Sequence, residues 1–300
     1  MLVARDYPNR TGTDGAFGKA STLVACVDMP RFGLATINHS PMHGLPLVWE
    51  QHLDAAAAAG FDALAPDIFW LRALHEEGVS LARLRRALDA RGLACMEIAG
   101  LAIGEEAETR SELEETLRYA QALDAEFMNV RVIAASGNTA MEQLCRCEDA
   151  LEKVGTRIAL EFSRGTQTPG IAETRAFMES AGSRDAGVTL DTWHFFLARD
   201  GPDWEALNAL PVSELANVQL SDGVPFGDRT YFEATMNERL LPGEGGFELA
   251  RVAKLLHDKK FDGAVVVEIL SARLRETPLD SFAKHAAQTS RLWWAQSEEG

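Results

Sequence analysis

"GVTLDTWHFF", residues 187–196, begins with the alternation of a buried strand, breaks into Asp191, and carries His194 three residues later. A strand that runs out on a carboxylate and an imidazole is either capping the helix that follows or forming the rim of a site. The choice depends on the sheet to which the strand belongs. Seven further runs of the same apolar or β-branched kind lie along the chain: "FGLATIN" (32–38), "FDALAPD" (61–67), "LACMEIAG" (93–100), "FMNVRVIA" (127–134), "RIALEF" (157–162), "ANVQLSD" (216–222) and "GAVVVEI" (263–269). Helical patterns separate them, among them "PLVWEQHLDAAAAAG" (46–60), "LARLRRALDARG" (81–92), "RSELEETLRYAQALD" (110–124) and "FELARVAKLLHDKK" (247–260). In the last of these Leu249, Val252, Ala253 and Leu256 fall on one face. Gly60, Gly92 and Gly155 stand where glycines that end helices are expected.

With "SFAKHAAQTSRLWWAQ" (281–296) as the last helix, eight strand–helix units follow one another. Strict alternation means a parallel sheet with helices outside, and eight units predict a single (β/α)8 TIM barrel over residues 22–300. The competing doubly wound sheet usually carries a glycine-rich phosphate loop after its first strand, and "HSPMHGLP" after residue 38 has no GxGxxG. Residues 1–21 read as a flexible or surface-lying extension without the continuous apolar stretch of a secretory signal.

The chain has 300 residues and a net charge of −16. That charge disfavours nucleic acid as a partner, because phosphate binders show basic stripes. No apolar run reaches the roughly 18 residues of a membrane span. The four cysteines, Cys26, Cys95, Cys145 and Cys147, lack zinc-type CxxC pairing and read as thiols of a cytoplasmic protein.

Alternate residues of a barrel strand face the interior. Leu160 and Phe162 facing the helices turn Glu161 inward, and the same phase turns Asp191, Gln219 and Glu268 inward on the next three strands. Asp191 follows Glu161 by 30 residues and Gln219 follows Asp191 by 28, about one βα unit each. These oxygen donors gather near the C-terminal mouth, where barrel enzymes work. Packed carboxylates raise each other's pKa, and one divalent cation removes the repulsion. The oxygen-rich set suits Mn2+ or Mg2+, with Co2+ or Zn2+ tolerated. Gln219 has a second reading, as a buried amide bonded only to its neighbours.

"ALEFSRG", "LDTWH", "VQLSDG" and "LPGEGGF" followed by "VVVEIL" resemble the strand ends of the sugar phosphate isomerase/epimerase family, the xylose isomerase-like barrels. The resemblance covers about residues 30–295. It implies a metal held by Glu161, Asp191, the seventh-strand residue and Glu268; many members have His where this chain has Gln219. His194 matches a position that in relatives approaches substrate or metal. The implied activity is isomerisation or epimerisation of a keto sugar or related polyhydroxy carbonyl compound through an enediolate, with Glu161 and Glu268 as base and acid. A dehydratase or lyase of the dehydroshikimate or inosose type shares the first step. A metal-free binding barrel and an endonuclease-IV-like DNA enzyme are the readings from other classes, the latter opposed by the charge. Relatives associate as homodimers or homotetramers.

Other side chains fill out the expected pocket. Arg164, just past Glu161, is placed to bind a substrate carboxylate or phosphate, or is an exposed loop residue. Asp222 orients a ligand or caps its loop. Residues 223–246 are too long for an ordinary βα connection and read as a lid from which Arg229 or Arg239 meets an anionic substrate. Asn38, His39, Asp67, Glu97 and Arg131 either line the pocket or hydrogen-bond within the barrel. Trp70, Trp193 and Phe195 are apolar walls or core.

Overall fold

The computed structural model describes residues 29–133 and 137–295. The expected extension at 1–21, the barrel's expected first residues and Cys26 lie outside them. Strands β1 (Arg31–Ala35), β2 (Ala63–Ala65), β3 (Ala94–Cys95), β4 (Glu97–Ile103) and β5 (Phe127–Val132) form the first half of the sheet. Strands β6 (Arg157–Glu161), β7 (Gly187–Asp191), β8 (Leu215–Leu220) and β9 (Ala264–Val267) form the second. All pair in parallel, in the order β3-β2-β1-β9-β8-β7-β6-β5-β4. Because β3 and β4 are one strand interrupted at Met96, this order closes on itself as a TIM barrel of eight staves.

The interruption departs from the single strand expected over 93–100, and side-chain direction explains it. Cys95 and Ile98 pack into the layer between sheet and helices, whereas Met96 joins the barrel interior and Glu97 bonds to residues of β8 inside it. Two consecutive side chains therefore point inward, which a regular strand cannot do. Backbone bonds from Met96 N to Leu64 O (2.9 Å) and from Phe127 N to Met96 O (2.9 Å) keep both neighbours attached across the slip. A second irregularity falls at Gly100, whose φ of +132° carries the register shift in β4; a Cβ there would lie 2.6 Å from Ile68 Cγ2. The first strand stops at Ala35 rather than near residue 38. Beyond it Asn38 continues the ladder with its side chain, donating to Val267 O (3.0 Å) and accepting from Ile269 N (2.6 Å).

Helices α1 (Trp49–Ala59), α2 (Ile68–Glu76), α3 (Leu81–Asp89), α4 (Glu106–Leu123), α5 (Gly137–Glu152) and α6 (Ile171–Ala181) cover the first half of the barrel. The second half carries the short α7 (Thr192–Phe196) and α8 (Trp204–Ala209), then α9 (Tyr231–Asn237), α10 (Leu249–Asp258) and α11 (Leu279–Ala295). The main core lies between sheet and helices and includes Leu160, Phe162, Leu190, Val218 and Val267, the outward phase read from the sequence. The lower barrel interior is filled by small residues, Ala63, Ala159, Ala216 and Ala264, with Met96 and Phe127. No helix among the described residues is long and apolar enough to cross a membrane. Cys95, Cys145 and Cys147 are free thiols.

Candidate metal centre

Strand register brings the expected donors to one height. Glu161 is level with Thr189, Asp191 with Gln219, and Gln219 with Val266, two residues below Glu268. A barrel of this type staggers by about one residue per strand, so the climb from Glu161 to Glu268 follows the stagger and leaves all four within about one residue of the same level. The level is the C-terminal mouth, and all four side chains are buried.

Asp191 takes the capping role that its place in the sequence allowed, and its second oxygen is left for the barrel mouth. Its Oδ1 caps α7, accepting from Trp193 N (2.7 Å) and His194 N (3.3 Å). That cap fixes the carboxylate so that Oδ2 faces the interior, 3.0 Å from Arg239 Nη1 and 3.5 Å from His194 Nε2. The short helix in turn swings His194 back over the strand ends, where Nε2 lies 2.9 Å from Glu161 Oε1. Ligand atoms of Glu161, Asp191 and His194 all lie within 4.8 Å of one another. The His194 Nδ1 meets the Tyr231 hydroxyl of α9 at 2.5 Å. Ionised carboxylates only accept, so Nε2 carries a proton in this arrangement, and in a neutral ring the Tyr231 hydroxyl donates to Nδ1. Burial pushes the Tyr231 phenol well above its ordinary range, which keeps it a donor.

Glu161 feels opposing influences. Burial raises its pKa, but the hydrogen bond and charge of His194, then Arg131 (Nε 4.0 Å from Oε2) and Arg239, bring it below the usual carboxylate range. Glu268 goes the other way. Burial lifts its carboxyl above the ordinary value, Arg239 opposes this incompletely, and Asp191, Glu161 and Glu97 add to the rise.

Glu268 does not share the common point of the other three. Its Oε1 is tied instead to Arg239 Nη2 at 3.4 Å, and the same guanidinium reaches Asp191. Arg239 is 1% exposed, with its charge over the Trp193 ring at 5.7 Å. Burial disfavours its charge, but Asp191, Glu268 and Glu161 outweigh that and raise its pKa. Among the described residues the close group is Glu161, Asp191 and His194, and Glu268 is linked to it through Arg239.

Gln219 lies beside Asp191, but its Nε2 donates across the barrel axis to Glu97 Oε1 at 2.9 Å. Asn217 donates to the other Glu97 oxygen. Burial pushes the Glu97 carboxyl up to about 7, against the lowering effect of these two bonds. Gln219 Oε1 is buried without a hydrogen-bond partner among the described residues.

The remaining expected residues divide. Asp222 caps its loop, accepting from the backbone N–H of Gly223 (2.7 Å), Gly243 (2.9 Å), Gly245 (3.0 Å) and Phe247 (3.1 Å), which folds "PGEGG" against the mouth. Arg164 donates to Ala198 O (2.8 Å) and stacks over Tyr231 (4.9 Å) and Phe226 (5.5 Å), so it buttresses the ring that holds His194. Arg229, 62% exposed, pairs with Glu238 at the surface and is not gathered with the others. Asp67 caps α2 and binds Thr36 and Ser40, a structural post. The 223–246 stretch contributes α9, which lies over the mouth through Tyr231 and through Thr235, the acceptor for Trp193 Nε1 (2.9 Å). Tyr231, Asn217 and the bridging place of Arg239 are what the sequence reading lacked. Asn217 shares the inward phase of Gln219, two residues away; nothing periodic in the insertion marks the other two.

The donor set fits a divalent cation. Among the described residues Glu161, Asp191 and Glu268, when ionised, face the buried Arg239 guanidinium and the half-exposed Arg131 beside Glu161, which together do not balance three negative charges, and an amide oxygen without a hydrogen-bond partner stands beside them.

The fold is shared with known proteins. The chain is 24% identical over 149 residues to an inosose isomerase of Halalkalibacterium halodurans, a match spanning 49% of this chain and 51% of that relative. The chain therefore matches about half the length of that curated protein. Among solved structures, the IOLI protein with a bound zinc atom superposes with a TM-score of 0.77 at 16% identity, covering 90% of this chain and 100% of that one. An L-ribulose 3-epimerase superposes with a TM-score of 0.71 at 16% identity, covering 90% and 96%. At these identities the likeness is one of fold. A family model described as xylose isomerase-like TIM barrel matches residues 53–295, and the chain belongs to that family.

Proposed function

We propose that this protein is a divalent-metal-dependent isomerase or epimerase acting on a keto sugar, an inosose or a similar polyhydroxy carbonyl compound. The observation that carries the reading is the convergence of Glu161, Asp191 and His194 at the barrel mouth, with ligand atoms within 4.8 Å of one another. Glu161 and Asp191, with Gln219 beside them, would hold the ion, and His194 would join them only on giving up its Nε2 proton. When bound, the ion supplies positive charge to the oxygens of an enediolate.

The protein's own groups do the rest. Glu161, steadied by His194 and Arg131, is the base that takes the proton α to the carbonyl. Glu268, held by Arg239 on another stave and with its carboxyl raised by burial, gives its own proton to the enediolate, which leaves Glu161 protonated and Glu268 ionised. Arg239 keeps Asp191 and Glu268 apart while compensating both charges. Tyr231 fixes the His194 ring so that an N–H faces the substrate side. The insertion carrying α9 excludes water from the intermediate. The net charge of −16 favours a small-molecule substrate over a nucleic acid.

The test is solvent exchange. The protein, stripped with chelator and reloaded with Mn2+, Mg2+, Co2+ or Zn2+, is incubated in D2O with keto sugars and inososes, and the α-proton is followed by NMR. Exchange at the carbon beside the carbonyl, lost on chelation and in Glu161→Gln, is expected. No exchange with any combination contradicts the reading. An unsaturated product seen in the ultraviolet would assign the chain instead to the dehydratases that share this first step.

A further inference from the structure

We infer that Glu97 is a positioning residue for Gln219, holding its amide so that Oε1 rather than Nε2 is offered to a cation at Glu161 and Asp191, and thereby favouring hard, oxygen-preferring ions. The inference rests on the metal-dependent reading above. Its starting point is an asymmetry within one side chain. Gln219 Nε2 is bound to Glu97 Oε1 at 2.9 Å, whereas Oε1 is buried and unpartnered among the described residues. An amide can present either edge, but both Glu97 oxygens act as acceptors here, one for Asn217 Nδ2 and one for Gln219 Nε2, so Glu97 selects the NH2 edge and turns the amide oxygen away from itself. Asn217 occupies the second Glu97 oxygen and stops the carboxylate from rotating to another partner.

Geometry sets where the freed oxygen belongs. Glu97 and Gln219 sit on opposite staves, β4 and β8, so their bond crosses the barrel axis. By register Glu97 lies about two residues below Glu161, whereas Gln219 is level with Asp191. The amide thus turns its NH2 down to the buried layer and its oxygen to the layer of donors. A buried carbonyl oxygen is seldom left without a positive partner, and a cation at the adjacent carboxylates would be one. An amide oxygen prefers Mg2+ or Mn2+, while imidazole suits Zn2+. In this chain the orienting group belongs to the interior layer, out of contact with substrate.

The test measures metal binding on the full-length protein, with Mn2+ by electron paramagnetic resonance and Zn2+ by competition against a chromogenic chelator. Glu97→Gln is expected to weaken Mn2+ binding by about 10- to 100-fold, because the amide pair can then flip together. Gln219→Leu is expected to weaken it similarly, and Glu97→Gln should add nothing in that background. Gln219→His is expected to move the Zn2+ to Mn2+ affinity ratio toward Zn2+ by about 10-fold or more. Melting curves confirm that each variant is folded, and Gln219→His, which keeps a polar group, stands in for any that is not. Wild type binding Mn2+ while Glu97→Gln binds it unchanged would overturn the positioning role alone. An equal loss from Glu97→Gln with and without Gln219 would also overturn it, since Glu97 would then act through its charge. Wild type binding no divalent ion would overturn both this inference and the reading on which it rests.

Discussion

Arg239→Met removes a buried guanidinium that faces the carboxylates of the mouth. Arg239 reaches Asp191 Oδ2 at 3.0 Å and Glu268 Oε1 at 3.4 Å, and all three groups are buried. At an effective dielectric of about 20 each contact corresponds to about 5 kcal/mol of attraction, most of it offset by the desolvation of the charges. Removing one partner of such a buried set costs about 3–5 kcal/mol, since the remaining charges lose their compensation. Glu268 already sits above its ordinary pKa and can shed its charge by protonation, which points to the lower end, about 3 kcal/mol. For a domain of this size that lowers Tm by about 5 °C. The assay is thermal unfolding of chelator-treated wild type and variant at pH 7, repeated with Mn2+. Mn2+ at 100 times the variant's own Kd should stabilise the variant by about 2.7 kcal/mol over its metal-free form. A metal-free variant melting within about 1 °C of wild type would refute the view that the guanidinium balances these carboxylates.

Three further outcomes follow from other parts of the molecule. Tyr231→Phe leaves His194 Nδ1 buried without its partner and should cost about 1–3 kcal/mol in thermal unfolding, an effect that disappears in a His194→Phe background. Gly245→Ala would drive a Cβ into Asp222 Oδ1 and to 2.5 Å from Gly223 O, so the loop must shift at a cost of about 1–3 kcal/mol; an unchanged denaturation midpoint would mean that the loop yields freely. Burial pushes the His52 imidazole down to about 4, so the unfolded chain binds more protons between roughly pH 6.5 and 4. Its contribution is complete above the unfolded pKa and is lost as pH falls through the folded one, about 3 kcal/mol in all, and urea titrations of His52→Leu should show that much less acid sensitivity than wild type.

The barrel was legible because a parallel strand buried on both faces is written as a short apolar run, and eight such runs alternate with helices whose apolar stripes are clear. Period-two alternation also placed Glu161, Asp191, Gln219 and Glu268 inside. The slip at Met96 was not legible, since Cys95, Met96, Glu97 and Ile98 give no local signal that two neighbours turn the same way; contact with Gln219 and Asn217 across the barrel decides it. The sequence leaves Arg164 and Asp222 each two readings and offers Arg229 to substrate from the 223–246 stretch; the structure ties Arg164 to an aromatic stack, makes Asp222 the cap of its glycine loop and pairs Arg229 with a surface glutamate. Those destinations depend on distances across the mouth that spacing along the chain does not encode. Arg239 lies in an insertion without periodicity, so its place between Asp191 and Glu268 emerges only from the folded loop.

The proposed function requires one divalent ion among the carboxylates of β6 and β7. Calorimetric titration of chelator-stripped protein with Mn2+ tests it most directly, alongside Glu161→Gln and Asp191→Asn, of which the latter keeps the oxygen that caps α7. Saturation at a single site in wild type, with binding abolished in both variants while their folds persist, is the predicted result. Wild type that takes up no ion, or variants that bind as tightly as wild type, would contradict it.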